Sequence, residues 1–127
     1  MRADRLCRNV AIFASFALFS LTAFAQGTTS RITGVVADTS GAAVAGATVT
    51  IKRQGTGTSF TTQTNDNGAY VFDLIQAGSY DVTVEKSGFK KFVSTGNTAL
   101  INQPSTINVA LEVGDVSATV TVTGTAE

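Results

Sequence analysis

Between Thr61 and Phe92 the sequence reads TTQTNDNGAYVFDLIQAGSYDVTVEKSGFKKF, and this stretch commits the chain to β-structure. Tyr70 and Phe72 alternate with Ala69, Val71 and Asp73, the period-two pattern of a strand with one buried face. After Leu74–Ser79 the pattern resumes, with Tyr80, Val82 and Val84 on one face and Asp81, Thr83 and Glu85 on the other. Turn chemistry separates the runs. Asn65-Asp66-Asn67-Gly68 offers side chains that bond to nearby backbone and a glycine that accepts positive φ without steric cost. Ser87-Gly88 closes the last run. With the weaker alternation of Thr58–Thr64, these features predict three strands and two tight turns, a β-meander.

The same alternation recurs elsewhere. Ile32, Gly34 and Val36 share one face of Arg31–Asp38, and Ala47–Lys52 alternates without a fault. Ser94–Thr98 reads as a loop, and Pro104 marks a break before Thr106–Val113, where Ile107, Val109 and Leu111 share a face. Val116, Ala118, Val120 and Val122 then alternate with Ser117, Thr119, Thr121 and Thr123. Short strands at regular spacing, with no helical period among them, predict an all-β fold: a seven- to eight-stranded antiparallel β-sandwich. Its expected core is Ile32, Val36, Val49, Ile51, Phe72, Tyr80, Val82, Val84, Val109 and Leu111.

Met1–Ala25 has the composition of a cleavable signal peptide. Arg2, Arg5 and Arg8 precede an uncharged stretch from Val10 to Phe24, and Ala23-Phe24-Ala25 forms a small-residue processing site before Gln26. The expected organisation is a signal peptide at 1–25, a β-sandwich at 26–113 and a Val/Thr-rich segment at 114–127. Cleavage between Ala25 and Gln26 would export the protein. Cys7, the only cysteine, would leave with the signal, so the core must hold the domain without a disulfide.

Composition narrows the chemistry. The sequence contains no histidine, and no cysteine follows Cys7. The commonest general base, the commonest transition-metal ligand and the most potent nucleophile are therefore missing from the expected mature chain. Six basic and eight acidic residues follow Ala25, a formal charge of −2, which gives no basic footprint for nucleic acid. Asp81 and Glu85, four residues apart on one strand face, are separated by about 13 Å, too far for a paired-carboxylate mechanism. Asn65–Gly68 lacks the alternating carboxylates and distal glutamate of a calcium loop and reads as a plain turn. No catalytic residue, metal site or cofactor site is expected. Lys52 and Asn108 are the pair an isopeptide crosslink would use, but both fall on polar strand faces with no buried acid beside them. Phe60, Phe89 and Phe92 are the rings left for an exposed aromatic contact.

The same residues carry a family resemblance. Thr64, Gly68, Tyr70 and Phe72, then Gly78, Tyr80, Val82 and Val84, then Ser87-Gly88-Phe89, resemble the carboxypeptidase regulatory-like domain, a transthyretin-like sandwich related to Cna B-type domains. Gly34–Asp38, Gly41, Val44, Gly46-Ala47 and Val49–Ile51 are similar to the opening of that family. The resemblance implies a non-catalytic domain. Members often carry proline near Ala43 and Ala77, and its loss costs about 0.4–1 kcal/mol through the unfolded state.

Asp115–Gly124 resembles a further junction. In outer-membrane receptors driven by the TonB system, a regulatory-like domain often follows the signal peptide, and a V-T-V-T-G-type TonB box leads into the plug and barrel. That resemblance implies an N-terminal extension, or fragment, of a TonB-dependent transporter, in the periplasm or outer membrane of a Gram-negative bacterium; the alternative location is extracellular. Val116, Ala118, Val120, Val122 and Gly124 would then contact a protein partner, either the plug and barrel of the same receptor or a periplasmic energy-coupling protein. Membrane association would come only through a barrel outside these residues. The competing reading makes Val116–Thr123 the last strand of the sandwich. The alternative function is a free-standing secreted module that binds carbohydrate or acts as an adhesin.

Overall fold

The computed structural model describes residues 27–124, so Ala25 and Gln26 lie outside the described residues. Nine strands follow in order: β1 (Thr29–Asp38), β2 (Thr48–Arg53), β3 (Ser59–Gln63), β4 (Ala69–Gln76), β5 (Gly78–Glu85), β6 (Lys91–Ala99), β7 (Pro104–Thr106), β8 (Val109–Leu111) and β9 (Thr119–Thr123). They form two sheets. One has the order β4-β1-β7, with β8 also on β1; the other has the order β3-β2-β5-β6-β9. All ten expected core residues are buried, none more than 6% exposed, and Val44, Ala47, Tyr70, Ile75, Ala99 and Ile107 complete the core.

Strand faces follow the alternation; strand pairing does not. The expected meander is corrected, because β3, β4 and β5 are not successive neighbours. β3 pairs with β2, β4 with β1, and β5 with β2 and β6. Two corners throw the chain from sheet to sheet. At the first, Asn65 Oδ1 accepts from the amides of Asn67 at 3.0 Å and Ala69 at 2.9 Å, and Gly68 takes φ 74°. At the second, only Ala77 separates β4 from β5, Leu74 takes φ 55°, and the Tyr80 hydroxyl donates to Gln76 O at 2.7 Å.

The sheets are also not wholly antiparallel. β7 and β8 pair parallel to β1, and β9 pairs parallel to β6. Lys91–Ala99, expected to contain a loop, is a strand throughout. Its buried residues there are polar, which hid the alternation. Ser94 Oγ donates to Asn97 Oδ1 at 3.2 Å, and Asn97 Nδ2 donates to the carbonyls of Ser94 at 3.0 Å and Tyr80 at 3.2 Å. Two neighbouring polar side chains thus satisfy each other inside the core, as burial demands.

β7 and β8 are one strand broken around β1. At the break Ile107 N donates to Thr33 O at 2.8 Å, while Asn108 Oδ1 accepts from Val35 N at 3.1 Å in place of a main-chain carbonyl. The Tyr70 hydroxyl, buried beneath, donates to Ile107 O at 2.5 Å. Burial holds the Tyr70 phenol well above its ordinary range. An unfolded tyrosine ionises near pH ~10, so above that pH the folded chain binds more protons and stability falls as pH rises. The contribution is fully present below the unfolded value. Tyr70→Phe should flatten this alkaline slope, and at neutral pH it should cost about 1–3 kcal/mol by leaving the Ile107 carbonyl unpaired. Urea melts from pH 8 to 11 read both effects; an unaltered slope would mean that the phenol ionises freely in the folded state.

Candidate functional site

The described residues bring together no catalytic constellation. Asp81 Oδ1 accepts from Gln54 Nε2 at 2.7 Å and from Gly96 N at 3.1 Å, whereas Glu85 pairs with Lys91 at 3.2 Å. The two carboxylates thus serve separate structural contacts. Among the described residues no group of three or more His, Cys, Asp or Glu is placed to hold a metal. Arg31 and Asp73 make a two-point ion pair at 3.0 and 2.8 Å across β1 and β4, which holds the Asp73 carboxyl below its usual range. This pair is exposed, and such pairs contribute about 0–1 kcal/mol. Lys52 lies on β2, whereas Asn108 lies at the β7–β8 break beside β1, and its carboxamide is committed to Val35.

Surfaces for contact lie at the sheet edges. β9 is the outer strand of the five-stranded sheet, in parallel register with β6 from Lys91↔Thr119 to Thr95↔Thr123. Main-chain contacts hold its ends: Lys91 N donates to Ala118 O at 2.8 Å and Gly124 N to Thr95 O at 2.5 Å. Gly124 sits so closely on the buried Asn97 that a Cβ there would fall 2.1 Å from Asn97 Oδ1. Side chains contribute little. Val116 and Val122 are 42% and 39% exposed, and Ala118 and Val120 are half-buried; no β9 residue belongs to the core. The segment is therefore neither a free tail nor a core strand, but a strand docked through its backbone. Between β6, β9 and the β7–β8 break lies an open cleft of about 260 Å³, lined by neutral residues that include Asn97, Asn108 and Val122.

The three aromatic candidates separate. Phe89 and Phe92 are half-buried and pack against the core, so the Phe89–Phe92 stretch is part of the sandwich wall rather than an exposed rim. Phe60 alone stands out, 43% exposed at the opposite sheet edge. It borders a cleft of about 300 Å³ with Arg53, Thr58, Leu74, Gln76 and Tyr80. Arg53 continues the inward face of Val49 and Ile51 at the end of β2, so its guanidinium enters the mouth between the sheets. Nη1 donates to Gln76 Oε1 at 2.5 Å and Nη2 to Ala77 O at 2.9 Å. Gly78 makes room for it, since a Cβ there would lie 2.8 Å from Arg53 Nε. Leu74 is 78% exposed yet held at φ 55°. A left-handed bulky residue costs about 1–3 kcal/mol, and such strain concentrates at functional sites. The alternation of Ala47–Lys52 stops one residue short of Arg53; extending the Val49–Ile51 face by two residues turns it inward. Nothing in the sequence marks Leu74.

The family profile of the carboxypeptidase regulatory-like domain matches residues 31–112. The chain belongs to that family. The match ends before β9, so the docked strand lies outside the matched residues. No curated protein matches the chain. Among solved structures, similar ones include the Bacillus anthracis TIE protein at TM-score 0.59 and 12% identity, covering 68% of this chain and 17% of that one. A putative carbohydrate binding protein from Bacteroides uniformis gives TM-score 0.56 and 21% identity, covering 67% and 42%. Hydroxyquinol 1,2-dioxygenase from Pseudomonas putida gives TM-score 0.57 and 8% identity, covering 72% and 59%. This chain thus spans less than two thirds of each, and at these identities the likeness is one of fold, not of reaction or ligand.

Proposed function

We propose that this regulatory-like domain is a non-catalytic accessory module that makes protein–protein contacts, as the N-terminal extension of a TonB-dependent outer-membrane transporter. The observation that carries the reading is β9: a Val/Thr strand beyond the residues the family profile matches, attached by main-chain hydrogen bonds, with an unpaired outer edge. Such an edge pairs with another strand backbone to backbone, which tolerates variation in side chains. The signal-like composition of Met1–Ala25 supports export, and the V-T-V-T-G order supports an energy-coupling partner. The carbohydrate alternative has weaker support, since Phe60 is the one exposed ring of the three candidates. Amide hydrogen exchange tests the proposal. Adding the periplasmic domain of a TonB-type coupling protein should slow exchange at Thr119–Thr123 and leave β3 unchanged. Unchanged exchange at Thr119–Thr123 would contradict it.

A further inference from the structure

We infer that the mouth beside β3 is a second protein-contact site, built for an extended segment whose acidic residue and apolar residue lie two positions apart. The inference rests on the reading of this chain as a protein-contact module, but uses the opposite sheet edge. Three independent features converge there.

The first is the edge itself. Proteins protect exposed strand edges with charges, prolines or bulges. Ser59–Gln63 has no charge and no proline, and its five pairs with β2 run without a register shift. The neighbouring edge of β4 is guarded by exposed Asp73, and its pairing with β1 shifts between Ser30 and Ile32. A partner strand therefore meets a regular, unguarded ladder at β3 and an irregular one at β4.

The second is charge. Arg53 is half-buried, and the two hydrogen bonds of its guanidinium go to a carboxamide and a carbonyl. Among the described residues it has no carboxylate partner; the ion pairs there are those of Arg31, Lys90 and Lys91. A planar cation with five donors and two bonds retains capacity for a carboxylate. The third is the apolar wall. Phe60 and Leu74 flank the cleft, and strain at Leu74 holds an apolar side chain in solvent at that place.

Register joins the three. Arg53 N donates to Thr58 O, and Phe60 lies two residues further along the same face. A strand added to β3 would bring residue i level with Arg53 and residue i+2 level with Phe60, about 7 Å on. An acid at i and a large aliphatic residue at i+2 satisfy both. The cleft beside β9 is lined by neutral residues and lacks this pairing.

The test uses the purified chain and a capped nonapeptide, Thr-Val-Thr-Glu-Thr-Leu-Thr-Val-Thr, beside a twin with glutamine for glutamate. The glutamate peptide should slow amide exchange at Ser59–Gln63, and the twin should bind about tenfold more weakly, the effect of one charge-assisted hydrogen bond. Arg53→Gln should weaken the glutamate peptide equally and abolish the difference between twins. Because Arg53 also ties down Gln76 and Ala77, Leu74→Gly provides a second arm. Glycine accepts the left-handed backbone, so this variant should melt no lower than the parent, yet lose most of its affinity. No slowing at Ser59–Gln63, equal binding of the twins, or slowing confined to Thr119–Thr123 would overturn the inference. None of these outcomes bears on whether a coupling protein pairs with β9, which is read at Thr119–Thr123 with a different partner.

Discussion

Gly34→Ala should leave the chain largely unfolded in water. A Cβ at this position would lie 1.9 Å from Ile107 O, 2.8 Å from the Ile107 carbonyl carbon and 2.7 Å from the Tyr70 hydroxyl. Two of these atoms are backbone, so no rotamer change relieves the clash. Ile107 is fixed from both sides, by its amide to Thr33 O and by the Tyr70 hydroxyl on its carbonyl. Admitting a methyl group means moving the β7–β8 break off β1. That breaks both bonds and uncovers Ile107, Val109 and Leu111, which β7–β8 carries into the core. The loss should exceed about 4 kcal/mol, beyond ordinary point substitutions and comparable with the 5–15 kcal/mol stability of a typical domain. Far-ultraviolet circular dichroism and a urea melt read the result. A midpoint within 1 M of the parent would mean that β1 and Ile107 do not approach as described; for a small domain that corresponds to about 1–3 kcal/mol.

Leu111→Ala should cost about 2–5 kcal/mol, from lost transfer free energy and the cavity left behind. Leu111 is fully buried and closes the parallel β1–β8 pairing opposite Asp38. Leu74→Ala is the matched control: the same chemical change at a side chain 78% exposed. It should shift stability by no more than about 0.5 kcal/mol. Paired urea melts with unchanged slopes isolate the burial term. Equal losses from the two leucines would show that their faces had been exchanged.

What the sequence made legible was which side of each strand faces inward. Period-two alternation names faces directly, so Ile32, Val49, Val82 and Leu111 were identifiable as core. Alternation carries no information about partners. The short corners at Thr64–Gly68 and Ala77 look like hairpin turns, and only the strand pairing reveals that the chain changes sheet at each. Parallel pairing was hidden for the same reason, since a strand facing β1 or β6 reads alike in either direction. β6 was missed because Ser94 and Asn97 are buried as a mutually satisfied polar pair, which no hydrophobic pattern displays.

At the candidate sites the division is similar. Val116–Gly124 and Phe60 were legible as chain, but their state was not. Whether a Val/Thr strand is free, docked or buried depends on Gly124 meeting Asn97 and on Thr95 receiving its amide, contacts made across the fold. The Arg53–Leu74 mouth depends on a positive φ at a residue without a turn signature.

The claim that β9 is docked on a self-sufficient sandwich, rather than built into it, is open to direct measurement by amide exchange on the intact chain without partners. Core amides of β2 and β5 should exchange only through global unfolding, with free energies that fall with urea along the global slope. Amides of Thr119–Thr123 should exchange through a local opening that depends little on low urea, at rates well above those of β5. If Thr119–Thr123 instead exchanged with the same free energy and urea dependence as Val82 and Val84, β9 would be an integral strand. Its assignment as a separable contact segment would then fail.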